Sequence, residues 1–180
     1  MTQFVNYKKR SFTLPPGCKD LIEVIAPYRQ NMKGRSTDVG LPYLEIKEDR
    51  FPTAGLAQVG RYVSMLLRAR GELFTLSVTA QGFQFPVTLY RSRTAQIFEI
   101  VLVTKEPHQE RAIRMFFEQR GLQAIMDDGD LDAPGAARGL AYPLPFDPAR
   151  ATILTTELLQ SAYGLSKMAG LDFRYYETAA

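Results

Sequence analysis

The period of hydrophobic and polar positions changes along this chain, and the changes mark its elements. Leu56, Val59, Val63, Leu66 and Leu67 recur at three- and four-residue spacing, which predicts a helix with one buried face over about 53–70. Pro52-Thr53 opens it with Thr53 as N-cap, and Gly71 lies just past its end. Ala57, Gly60 and Ser64 form a second stripe of small residues, which lets another element approach closely.

The period then drops to two. Phe74, Leu76, Val78 and Ala80 alternate with Thr75, Ser77 and Thr79, and Phe83, Phe85, Val87 and Leu89 alternate with Gln84, Pro86 and Thr88. Both segments read as strands with one buried face. Gln81-Gly82 is the turn between them. Pro86 lacks an N–H for a ladder, so an edge or bulge is expected there. After the Ser92-Arg93 turn, Ile97–Val103 is apolar at both parities apart from Glu99, and such a strand is usually covered on both faces.

A helical pattern returns at Pro107, a favoured first helical position. Ile113, Phe116 and Phe117 share a side, Glu110 can pair with Arg114, and Gly121-Leu122 fits a glycine C-cap. A short strand is expected over Leu122–Met126, then an acidic loop over Asp127–Gly139 and an extended Tyr142–Phe146. Asp147-Pro148 supplies an N-cap and first position for a helix ending near Gly164. Leu171, Phe173 and Tyr175 alternate with Asp172, Arg174 and Tyr176, predicting a last strand.

The first 51 residues carry weaker patterns. Phe4–Leu14 reads as one strand stopped by Pro15-Pro16-Gly17, Lys19–Ile25 as a short apolar segment, and Gln30–Gly40 as a loop. The order predicts an α+β fold: an antiparallel sheet around a three-strand meander (about 72–104), with helices (about 53–70, 107–120, 148–163) mainly on one face. The expected organisation is one domain over 1–180, with residues 1–51 a loosely packed N-terminal extension. Helix, meander and helix in that order resembles the secretion-chaperone type of α+β fold; no motif accompanies the resemblance, so no residue role follows from it.

At 180 residues and 46% hydrophobic composition, a core can form without a disulfide or structural metal. One cysteine, Cys18, and one histidine, His108, leave no Cys/His metal site within one chain; no cofactor is expected. No hydrophobic stretch approaches the roughly 18 residues of a membrane span. The Leu14–Cys18 stretch lacks the apolar run that a lipoprotein signal needs before its cysteine. The expectation is a cytoplasmic protein with no membrane partner. Net charge is +3, unevenly spread: residues 1–70 carry 12 Lys/Arg and 6 Asp/Glu, residues 126–180 carry 4 and 8. Oppositely charged surfaces can meet within one chain or between two copies.

Few residues suggest chemistry. Asp127, Asp128, Asp130 and Asp132 cluster, but a calcium loop counted from Asp128 meets Ala133 and Gly139 where Gly and Glu belong; a solvated turn is the simpler reading. Lys8, Lys9 and Arg10 lie between Tyr7 and Phe12, with Lys33 and Arg35 downstream. These five are the candidate contacts to an anion or nucleic acid, set against a charged strand edge that resists pairing. Gly34–Gly40 lacks the Lys-Ser/Thr of a phosphate loop. A Cys18–His108 dyad has no spacing to support it, and no G-x-S-x-G occurs; no catalytic residue is assigned. The leading expectation is therefore a non-enzymatic interaction module, adaptor or chaperone-like, working as a homodimer. A nucleic-acid binder using the basic N-terminal third is the alternative, and an enzyme with an unrecognised pocket the third.

Overall fold

The computed structural model describes residues 4–7, 10–13, 44–70, 73–93, 95–128 and 137–178. The chain forms two compact units, Met1–Pro42 and Tyr43–Ala180. The first contains an antiparallel pair, β1 (Phe4–Tyr7) and β2 (Arg10–Thr13), with Tyr7 opposite Arg10. The single strand expected over Phe4–Leu14 is thus two. The two strands pair with each other, so the alternation read as one strand belongs to two partners.

The second unit is α+β, as expected. Its elements are β3 (Leu44–Phe51), a 3-10 turn (Gly55–Gln58), α1 (Val59–Arg68), β4 (Leu73–Thr79), β5 (Val87–Ser92), β6 (Ile97–Thr104), α2 (Pro107–Glu118), β7 (Met126–Asp128), β8 (Arg138–Pro143), α3 (Pro148–Ser161) and β9 (Leu171–Thr178). Seven strands pair antiparallel in the order β3-β9-β4-β5-β6-β8-β7.

Register sorts the side chains onto two faces. Leu76, Leu89, Ile100 and Tyr142 lie in one row across β4, β5, β6 and β8, all at 2% exposure or less. Val78, Val87, Phe98, Leu102, Leu140 and Phe173 complete this core face. The helices cover it. Tyr62 of α1 stacks on Phe173 with ring centroids 4.2 Å apart, and Phe117 of α2 stacks on Tyr142 at 3.7 Å. Between them lies α3, in contact with both. Each buried aliphatic or aromatic side chain contributes about 1.5–3 kcal/mol.

Local differences from the sequence patterns have physical causes. The first helix starts at Val59 rather than Thr53. Ala54 and Gly55 donate their N–H groups to the carbonyls of Met168 and Ala169, and a Cβ on Gly55 would sit 2.6 Å from Leu171. That tether holds residues 54–58 in a tighter turn before the α-helix begins. The small-residue stripe finds its partner in α3: a Cβ on Gly60 would meet Thr152 at 3.2 Å. The strand expected from Phe83 begins only at Val87, because Pro86 cannot join the ladder. Gly121, at φ 67°, caps α2 while Leu122 N–H donates to Phe117 O at 3.0 Å. Asp147 caps α3 by accepting from Arg150 N–H at 2.7 Å. β3 was not expected: Lys47, Glu48, Asp49 and Arg50 put charge on both faces of an edge strand, which erases alternation.

Candidate functional site

The other face of the sheet has no described helix on it. Ser77, Thr88, Val101, Ala141 and Met126 form one row across it, and Val103 follows Val101. Ser77 and Thr88 hydroxyls lie 3.3 Å apart. Val101 and Val103 are half-buried, whereas Ala141 is 1% exposed. Glu99 shares this face, opposite Tyr90 and Pro143. It is 3% exposed and engaged by a neighbour, so its carboxylate is not a bare charge. Towards β3 the face turns ionic: Glu48 receives Arg50 at 2.8 Å and Arg174 at 3.2 Å. The hydrogen bonds from Arg50 and Arg174 hold the Glu48 carboxyl below its usual range.

Both sheet edges resist strand addition. β3 places four consecutive charged residues, Lys47–Arg50, along one edge. A two-fold pairing of β3 with itself puts one of these residues opposite its own copy or displaces it onto Ile46 or Leu44. β7, on the other edge, is three residues long. Charge and short length are common guards of exposed edges.

A cleft of about 170 Å³ lies at one end of the sheet, lined by Gly82, Phe83, Gln84, Phe85, Val103, Glu106, His108, Gln109 and Tyr163. Phe83 and Tyr163 rings meet at 4.8 Å. Burial pushes the Tyr163 phenol above its ordinary pKa. Thr104, 2% exposed, anchors the polar rim: its hydroxyl donates to Gln109 Oε1 at 2.9 Å and accepts from Glu106 N–H at 3.1 Å. The Gln109 carbonyl oxygen is thereby held inward. His108 Nδ1 lies 3.9 Å from Glu106 Oε2, on a side chain 83% exposed. Lys105 Nζ stands 5.8 Å from the Phe85 ring centroid.

The residues singled out by sequence fare differently. Asp127 sits in a strand rather than in the expected loop. Its carboxylate accepts from Arg114 Nη2 at 2.9 Å and Arg138 Nε at 2.9 Å, and Glu110 pairs with Arg114 at 2.8 Å. Burial pushes the Asp127 carboxyl up, but its hydrogen bonds to Arg138 and Arg114 outweigh this and hold it below the usual range. Asp128 is exposed, and Asp130 and Asp132 lie outside the described residues. Among the described residues no three His, Cys, Asp or Glu side chains are placed to hold a metal ion. Arg10 lies in β2; Lys8, Lys9, Lys33, Arg35, Cys18 and the Gly34–Gly40 stretch lie outside the described residues. No described helix is long and apolar enough to cross a membrane.

Sequence reasoning missed the cleft. Its aromatic wall joins the turn after β4 to Tyr163, about 80 residues later, and no spacing rule connects them. It also missed two knots that hold the helices. Arg91, 8% exposed, donates through Nη1 to Leu66 O at 2.9 Å and Ala69 O at 2.8 Å, while Arg93 donates to Arg70 O at 2.8 Å. Two arginines thus satisfy carbonyls at the α1 C-terminus, where the helix dipole favours positive charge. The Tyr62 hydroxyl donates to the Asp49 carboxylate. Burial, and next this hydrogen bond, push the phenol pKa up. No protein-family profile, curated protein or solved structure matches this chain.

Proposed function

We propose that this protein is a non-enzymatic interaction module that works as a homodimer through the sheet face opposite its helices. The single observation that carries this reading is that the three described helices share one face, and among the described residues no helix lies over the half-buried Val101 and Val103 on the other. Apolar side chains on a strand gain little until something covers them. The edges are guarded, which turns association toward the face.

A second copy suits this surface. In an isologous contact the same patch meets itself. Hydroxyls, small apolar groups and an ion-pair cluster of both signs can do that without placing one sign against itself. The Glu99 carboxylate, already engaged, adds no unpartnered charge.

Light scattering at micromolar concentration tests the reading. The expected mass is near twice the 20.3 kDa of one chain. A mass near one chain across that range overturns it.

A further inference from the structure

The cleft beside α2 has a chemistry of its own. Rings of Phe83, Phe85 and Tyr163 supply its apolar wall, and Glu106 supplies a carboxylate at its rim. The Glu106 side chain is 48% exposed, and among the described residues its carboxylate faces His108 at 3.9 Å. Aromatic ring faces carry negative potential and attract cations. One cation already uses this wall: Lys105 stands over Phe85, and it makes no ion pair among the described residues. The volume, about 170 Å³, lies below the roughly 300–1,000 Å³ of small-molecule and cofactor pockets. It suits one side chain.

We propose that this cleft receives a single cationic side chain, arginine or lysine, presented by a partner protein. The aliphatic stem lies along Phe83 and Val103, and the charged head meets Glu106 and the ring faces. Gln84 and Gln109 supply amides for the partner's backbone. Lys105 is then a resident competitor: its ammonium occupies the field that the incoming cation needs. This deepens the interaction-module reading by naming a partner chemistry, and a small probe tests it separately from self-association.

The experiment is amide chemical-shift titration of the full ¹⁵N-labelled chain with three probes: N-acetyl-arginine amide, the neutral norleucine analogue and the anionic aspartate analogue. The arginine probe is expected to shift the amides of Phe83–Phe85 and Glu106–Gln109 at millimolar concentration. The norleucine probe should bind about three-fold more weakly, and Glu106→Gln should weaken the arginine probe about three-fold. Lys105→Met should tighten it about two-fold, an effect that a merely structural lysine would not give. Both substitutions are at exposed positions, so the fold should persist. The proposal is overturned if the aspartate probe shifts these amides more than the arginine probe, if Lys105→Met weakens arginine binding, or if tens of millimolar of every probe leave the cleft unmoved.

Discussion

Ile100 and Val101 are consecutive residues of β6, yet they belong to two different surfaces. Ile100 shares its row with Leu89 and Tyr142, under the helices and fully buried. Val101 shares its row with Thr88 and Ala141, half-buried, with no described helix above it. The same strand therefore carries a finished core on one side and, on the other, two half-buried valines with no described helix over them. In β4 and β5 the second face carries Thr75, Ser77, Thr79 and Thr88 beside Tyr90. In β6 it carries the half-buried Val101 and Val103 beside Glu99, and that pair of valines is what points to a partner.

The largest expected effect separates the two faces directly. Ile100→Ala should destabilise by about 2–5 kcal/mol, because it removes buried methyls and leaves a cavity. Val101→Ala in the same strand should cost about 1 kcal/mol or less in the dissociated chain. Urea unfolding at low protein concentration measures both, and equal losses would erase the distinction. Next is Arg91→Met, which leaves the carbonyls of Leu66 and Ala69 without their charged donor on the helix side. A loss of about 1.5–3 kcal/mol is expected, and a change within error would mean that the α1 C-terminus is held by something else.

A gain is expected at Thr155, which is fully buried in α3 and whose hydroxyl has no hydrogen-bond partner among the described residues. Thr155→Val keeps the shape and removes the unmet polar group, so the urea midpoint should rise by the equivalent of about 1 kcal/mol. A fall in midpoint would show that the hydroxyl is satisfied. The smallest effect is acid linkage at Asp127. Its folded-state pKa is depressed by Arg138 and Arg114 against the opposing push of burial. The stabilisation it supplies is therefore complete above the unfolded value of about 3.8 and is lost as pH falls through the lower folded value. Asp127→Asn should flatten the acid limb of a stability-versus-pH curve below about pH 4. An unchanged limb would remove Asp127 from the account.

Much of the helix side was legible because its signals are local. Leu56 to Leu67 at helical spacing, the Gly121-Leu122 stop, and Asp147-Pro148 each act within a turn or two, and each lies near its predicted place. β3 was not legible, because charges at Lys47 through Arg50 hide the period of an edge strand. Pro86 was read correctly as a ladder breaker, but its consequence, a strand starting only at Val87, depends on where the chain leaves the turn. Neither the cleft nor the Arg91 knot left a local trace. Each joins residues far apart in sequence, so only the sheet order brings them together. Of the basic run prominent in the sequence, Arg10 lies in β2, and Lys8 and Lys9 lie outside the described residues.

The central claim is that the face carrying Val101 and Val103 joins two copies. Sedimentation equilibrium of the Val101→Lys, Val103→Lys double variant tests it most directly, with Met115→Lys, Ile153→Lys on the exposed helix side as its counterpart. Circular dichroism would confirm that both variants remain folded. The account predicts a mass near 20.3 kDa for the sheet-face variant and near twice that for the wild type and the helix-side variant. A dimer that survives the sheet-face charges and dissociates with the helix-side ones would contradict it.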